Sequence, residues 1–284
     1  MTGFRLAWRK FTRDRLALTG FLIILSLVAA ALFAGLLAPY PEDTFRIHPA
    51  ERLSPPSAEH LLGTDSMGRD ILSRLLFGAR VTLVISMIAV GVSLLIGVPL
   101  GLLAGYFENW FSEFIMRVAD IFLSIPQVIL AIFLAQSFRP SIRSVILALS
   151  ITYWPWFTRI VYAETRSLKK TAFLEATEAL GAGTIRTVLL HVLPNVSSSI
   201  IVRSSIGMGF TILTAATLGF LGVGAQPPTP EWGVTIAESR QYLPDAWWYA
   251  TFPGLAIFIV VMGFNMLGDG LRDILDPRIR RGFD

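Results

Sequence analysis

The chain has 284 residues, 54% of them hydrophobic and only 15% charged, with a net charge of +4 and a mean hydropathy of +0.62. A soluble domain needs about a quarter of its residues charged to solvate its surface, so composition excludes an ordinary soluble globular protein and points to a bilayer protein. The absence of cysteine excludes disulfides and cysteine-held metal centres, and so small a net charge, carried beside apolar stretches, argues against a nucleic-acid partner.

Six apolar segments are each long enough to cross roughly 30 Å of hydrocarbon at about 1.5 Å per residue: 17–38, 81–105, 117–136, 141–162, 200–222 and 248–268. In lipid the backbone must satisfy its own hydrogen bonds, so these are helices, and the expected fold class is an all-α membrane protein with six transmembrane helices. The first segment follows Arg5, Arg9, Lys10, Arg13 and Arg15. That flank suits a signal peptide, but the apolar run is too long and lacks a small-x-small cleavage site, so it reads as a retained helix with its basic flank in the cytoplasm. Six spans then place both termini inside. Sixteen of the 24 Lys and Arg residues fall on the inner side of this topology, as the positive-inside rule requires. The inner loop 106–116 carries Glu108 and Glu113 but no base; acidic residues weigh little in that rule. Tyr106, Trp110, Trp232, Trp247, Trp248 and Tyr249 lie near span ends, where an interfacial aromatic belt is expected.

The chain divides into 1–80 (cytoplasmic segment, first span, long external loop), 81–270 (a five-helix core) and 271–284 (a cytoplasmic tail). The external loop 39–80 is rich in proline and ends in a stretch containing Asp65, Gly68, Arg69 and Asp70. Glycine suits tight turns there, and Asp65 or Asp70 is placed to cap a short helix over 71–78. These four residues are the external candidates, although ordinary capping in a packed surface loop accounts for them as well. In the second span Gly97, Gly101 and Gly105 recur every fourth residue, a stripe that predicts close helix packing. Asp120 lies one turn from Arg117 in the third span and predicts an i,i+3 ion pair. Pro99, Pro126, Pro155 and Pro253 fall inside spans and predict bends or freed carbonyls. Gln127, Gln136, Asn265 and Asp269 are the weaker candidates for a polar path, Gln127 and Asn265 being taken for the substrate pathway, with Asn265 equally suited to an interhelical hydrogen bond. Arg159 and Glu164 close the fourth span, in reach of the loop that follows.

That inner loop, 163–199, is too long and too charged for a turn or a span. Residues 175–180 favour helix, Gly181 offers a stop, Thr184 can cap a second short helix and Pro194 should end or kink it. The result is a helix–Gly–helix hairpin at a membrane face. Small residues at Ala176, Ala179 and Ala182 would admit a partner closely; otherwise the hairpin would lie on the headgroups. No G-x-x-x-x-G-K-[ST] or G-x-S-x-G occurs, so the chain carries neither a P-loop nor a nucleophile elbow. His48, His60 and His191 show no metal-ligand spacing.

The hairpin residues Glu175, Ala176, Gly181, Leu193 and Pro194 resemble the E-A-A-x-x-x-G-x(9)-I-x-L-P loop of bacterial ABC importer permeases, with Thr177 in place of the usual Ala and His191 in place of Ile. The stretches 60–80, 218–233 and 268–277 are similar to the corresponding segments of peptide/nickel-type permeases, in the right order. Together they resemble the C-type subunit of the dipeptide/oligopeptide/nickel family. The resemblance implies a type I ABC importer permease fold in a bacterial inner membrane. It implies ATPase coupling through residues 175–194, with Glu175, Ala176, Thr177, Ala179, Gly181, Leu193 and Pro194 at the contact. The implied partners are a homologous permease, two cytoplasmic ATPases that hold ATP and magnesium, and an external solute-binding protein; this chain would bind no cofactor. An ion-coupled secondary transporter is the competing class, but no repeat is evident and the acidic residues cluster at span ends rather than mid-membrane.

Overall fold

The computed structural model describes residues 11–275. Arg5, Arg9 and Lys10 at one end, and Asp276 through Asp284 at the other, lie outside them. Nine helices organise the described chain: α1 (Arg15–Leu32), α2 (Ile71–Phe107), α3 (Trp110–Ser124), α4 (Gln127–Ser137), α5 (Ile142–Lys169), α6 (Ala172–Ala179), α7 (Thr184–Phe220), α8 (Trp232–Ser239) and α9 (Trp247–Leu275). Short one-turn segments complete the connections. No strand occurs among the described residues, only an isolated bridge between Thr64 and Asp70. Helices α1, α2, α5, α7 and α9 are each long and apolar enough to cross a membrane, and α3 with α4 supplies a sixth, bent span.

Local chemistry sets the helix starts. The Asp14 carboxylate accepts from the Leu16 and Ala17 amides at 2.8 and 3.1 Å, Asn109 and Ser112 cap α3 reciprocally, and Ser141 caps α5; each satisfies amides that the first helical turn leaves without partners. Apolar side chains of α1, among them Leu22, Leu25 and Leu32, point outward into what a bilayer would fill.

The third span departs from the expected single rod. α3 and α4 meet at 92°. Pro126 cannot donate an amide, and its ring forces Ile125 into an extended conformation (φ −92°, ψ 131°), which ends one helix and starts the next. By contrast α2, α5 and α9 continue through Pro99, Pro155 and Pro253. The short helix expected over 71–78 is the first two turns of α2. At 37 residues this helix is about 55 Å long, well beyond roughly 30 Å of hydrocarbon, so it projects from the membrane. Pro194 also fails to end its helix. A π segment, Val188–Val192, widens the turn ahead of it and α7 runs on, as insertions of this kind allow. Thr184 makes no cap bond; the capping position is Gly183.

Helices α2 and α5 form the closest pair. The glycine stripe on α2 lies directly against α5: a Cβ at Gly97 would stand 2.6 Å from the Trp154 carbonyl, at Gly101 2.7 Å from Val161 Cβ, and at Gly105 2.7 Å from Thr165 Cβ. Two hydroxyl bonds cross the seam, Thr158 Oγ1 to the Gly97 carbonyl (3.1 Å) and Ser93 Oγ to the Ser150 carbonyl (3.1 Å). A second small-residue seam, not anticipated from sequence, joins α1 to α9. A Cβ at Gly20 would stand 2.6 Å from the Gly263 carbonyl, and one at Gly270 would collide with Ala17.

Replacing Gly101 by Val should destabilise the protein by about 1–3 kcal/mol through overpacking. Gly91→Ala, on the same helix with nothing within 4 Å of the added Cβ, should instead be neutral or stabilising by up to about 1 kcal/mol. Thermal unfolding in detergent reads both; equal behaviour of the two variants would refute the seam.

Candidate functional site

Two polar assemblies stand at opposite ends of α2. At one end the connection between α1 and α2 folds back over the helix starts. Asp65 is fully buried, and its carboxylate accepts from the Met67 amide (2.8 Å), the Arg69 amide (2.9 Å) and Arg69 Nε (2.6 Å). Arg74 Nε lies 3.4 Å from the same carboxylate, and its Nη1 donates to the Thr44 carbonyl at 3.0 Å. Arg69 Nη2 reaches Glu238 on α8 at 3.4 Å, and the Tyr249 hydroxyl of α9 donates to Glu238 at 2.9 Å. Asp70 caps α2 by accepting from the Ser73 amide (2.8 Å) and pairs with His60 Nδ1 at 3.0 Å. Gly68 adopts φ +77°, and any Cβ there would collide with the His48 carbonyl. Asp65, Gly68, Arg69 and Asp70 thus act together as a buried clasp. Trp232 and Trp248, expected in an interfacial belt, are buried here, donating to the Leu75 and Thr64 carbonyls at 3.0 and 3.2 Å. Trp110 and Trp247 are exposed, as a belt requires. Among the described residues no cluster of three metal-ligating side chains occurs.

Glu231 completes this end. It is 4% exposed and caps α8, accepting from the Gly233 and Val234 amides at 2.9 and 2.8 Å. Burial pushes its pKa up to about 7 despite the two amide donors, which pull it down.

At the other end, α5 extends to Lys169 and turns into the hairpin of α6 and the start of α7. Leu174 is fully buried and plugs the hairpin into a core of Leu102, Tyr106, Val161, Val188, Val192 and Val196. Tyr106, at the last turn of α2, is the junction. Its hydroxyl donates to Glu178 at 2.7 Å, and its carbonyl accepts from Lys169 Nζ at 2.7 Å. Arg166 pairs with Glu108 at 3.3 Å, so the acidic loop after α2 lies on the hairpin's side of the bundle. Gly181 takes φ +82° at the turn with nothing within 4 Å of a built Cβ; conformation, not space, selects glycine there. Glu175, Ala176, Ala179 and Pro194 are exposed, Thr177 and Leu193 partly so. The tip carries large apolar side chains in the open, with Leu180 at 88% and Ile185 at 76% exposure. Sequence reasoning passed over Leu180, Ile185 and the Tyr106 anchor. Two large apolars flanking the Gly181 turn were the available signal.

The other expectations within the spans divide. Asp120 pairs with Arg159 across helices at 3.0 Å, not with Arg117 on its own helix. Glu164 accepts from Ser199 Oγ, at the far end of the hairpin. Gln127 starts α4 and accepts from Trp156 Nε1 at 3.2 Å. Asn265 is exposed on α9 and makes no interhelical hydrogen bond among the described residues; Ser205 Oγ bridges α7 to α9 at the Phe264 carbonyl instead (3.0 Å). Gln127 and Asn265 share no hydrogen bond with each other.

A protonated Glu231 favours the folded state, because the folded pKa of about 7 exceeds the ordinary value of 4.5. The Glu231 contribution to stability, about 3 kcal/mol at most, should be full below pH 4.5, fall as pH rises to about 7 and be lost above it. Glu231→Gln should flatten that window, followed by Trp232 fluorescence during thermal unfolding. An unchanged slope would remove Glu231 as its source.

Residues 97–281 match the family described as binding-protein-dependent transport system inner membrane component, and residues 2–56 match the N-terminal TM domain of oligopeptide transport permease C. The chain is 43% identical to a dipeptide transport system permease protein of Alkalihalophilus pseudofirmus, over 99% of this chain and 91% of the relative. It is 42% identical to a glutathione transport system permease protein of Pectobacterium atrosepticum, over 98% and 92%. A di/tripeptide transport system permease protein of Pseudomonas aeruginosa is also 42% identical, over 96% and 91%. Among solved structures, inward-facing conformations of the MetNI methionine ABC transporter share the fold, with a TM-score of 0.60 at 20% identity, over 72% of this chain and 96% of that one.

Proposed function

This chain belongs to the family of binding-protein-dependent transport system inner membrane components, and on that premise we propose that it forms one half of an ATP-driven import path for small peptides, coupled to cytoplasmic ATPases through the α6–α7 hairpin. The other half is a homologous permease, and an external binding protein delivers the solute. The chain hydrolyses nothing itself; ATP and magnesium belong to the ATPase subunits. The membrane is the bacterial inner membrane, with the hairpin and both termini in the cytoplasm.

The observation that carries this reading is the exposed apolar tip on a rigidly anchored hairpin. Leu180 and Ile185 stand in the open, while Leu174, Tyr106 and Lys169 tie the same hairpin to α2 and α5. A purely structural turn gains nothing from apolar tips in water. A docking element needs both an apolar contact and a stiff mount, so that a partner's movement reaches the spans. Glu175, Ala176, Thr177, Ala179, Gly181, Leu193 and Pro194 line or shape that element. The peptide class of solute follows the relatives, whose names specify dipeptides, di/tripeptides and glutathione.

Gly181→Pro forces φ from +82° to about −65° and removes the amide that donates to the Glu178 carbonyl. In the assembled complex in proteoliposomes, Gly181→Pro and Glu175→Lys should each abolish ATP-driven dipeptide uptake while membrane insertion stays normal. Ordinary uptake by both variants would exclude the hairpin as the coupling element.

A further inference from the structure

Midway along α7, Arg203 carries a charge that no anion among the described residues pairs with. Its guanidinium lies 4.4 Å from the Trp156 ring centroid and 5.9 Å from that of Tyr153. It makes no ion pair and donates no hydrogen bond among the described residues. Arginine stays charged under all conditions relevant here and carries five N–H donors. The two rings offer their negative faces to the cation but leave those donors unused. Such a residue inside a span is expensive and calls for a partner. Trp156 is itself held, since its indole N–H donates to Gln127 at 3.2 Å; the aromatic shelf under Arg203 is therefore fixed rather than incidental.

Arg203 faces a cavity of about 580 Å³ between α5, α7 and the end of α9, a size that suits a small ligand. Arg272 also lines it and also lacks an ion-pair partner among the described residues. Across from them stands Glu164, whose one oxygen takes the Ser199 hydroxyl; Asn195 adds a further polar group. The spacing follows helical periodicity. Trp156, Ile160 and Glu164 share one face of α5, and Asn195, Ser199 and Arg203 share one face of α7. Two cations and one carboxylate thus border one space without pairing to each other.

We propose that this cavity is a solute subsite in which Arg203, on its Trp156 shelf, holds a free carboxylate of a small peptide, Glu164 receives the ammonium, and Arg272 draws the carboxylate in from the exposed mouth. This rests on the peptide-import reading above and adds to it a specificity-determining residue. A free carboxylate satisfies the unused donors in a bidentate pair; an amidated C-terminus presents no charge and cannot.

The test is equilibrium binding of radiolabelled dialanine, and separately of dialanine amide, to the assembled permease–ATPase complex without nucleotide and without the binding protein. The unmodified complex should prefer the free acid about tenfold or more. Arg203→Gln should lower dialanine affinity to that of the amide, Arg203→Lys should keep part of the preference, and Arg272→Gln should weaken it less. Equal affinity of the unmodified complex for the two peptides overturns the proposal without recourse to any variant. A preference that survives Arg203→Gln overturns it too. So does dissociation of the Arg203→Gln complex, which would assign the missing anion to the partner permease. Binding is read without hydrolysis, so failure of the hairpin as coupling element leaves this readout intact, and the two readings fail separately.

Discussion

The contact between α2 and α5 determines what the rest of the molecule can do. Gly97, Gly101 and Gly105 remove the side chains that would hold two helices apart, and the α5 backbone occupies that space. In lipid, where helix association gains no hydrophobic drive, such close packing and the hydroxyl bonds across it supply the attraction. Thr158 and Ser93 provide those bonds and oppose sliding of one helix along the other. The pair therefore behaves as one stiff body. One end includes Arg74 and the helix start capped by Asp70. The other end includes Tyr106 and Lys169, on which the hairpin is mounted. A force on the hairpin is a force on the clasp at the far end of a helix about 55 Å long.

The molecule treats its charges in two opposite ways. In the clasp every carboxylate has several donors, and Asp65 alone accepts three hydrogen bonds. Desolvating these groups is costly, but the geometry repays it through charge-assisted bonds. The outcome is order at the point where α2, α8 and α9 converge. In the cavity between α5, α7 and α9, Arg203 and Arg272 have no ion-pair partner among the described residues, while Glu164 is held by a hydroxyl. If that cavity is the proposed solute subsite, donors that stay free until occupied serve release better than a network already complete.

Much of this was legible in sequence, and the exceptions have physical causes. Spans are legible because apolar runs of about 20 residues satisfy their backbone in lipid as helices, and the glycine stripe because a four-residue spacing puts Gly97, Gly101 and Gly105 on one face. Asp70 as a cap was within reach of local rules. The Asp120 partner was not. Two residues on one helix suggested a local pair, but Arg159 approaches from α5, which only tertiary packing reveals. Pro126 and Pro155 look alike in sequence, yet only Pro126 breaks its helix. The tight α2–α5 packing holds α5 together through its proline, whereas no comparable seam braces the α3–α4 junction. Pro194 misled for a related reason: the π segment ahead of it leaves no periodic trace. Arg203 counted merely as an inner-side base, because its aromatic shelf comes from a different helix.

Stiffness in one place puts compliance in others. The α2–α5 pair, the clasp and the hairpin mount form a continuous braced structure. Two interruptions lie beside it: the 92° junction of α3 and α4, and the π segment at the base of α7. Interruptions of the regular ladder are where helices bend at least cost. Each is linked by a hydrogen bond toward the cavity lining. Gln127, the first residue after the α3–α4 junction, holds Trp156, and Trp156 underlies Arg203; His191 within the π segment accepts at its carbonyl from Asn195, which lines the same space. The cavity thus stands between the braced α2–α5 pair and the two points at which the remaining helices can bend. Opening or closing the cavity requires no deformation of the glycine seam, only of the junctions that already lack regular helical bonding.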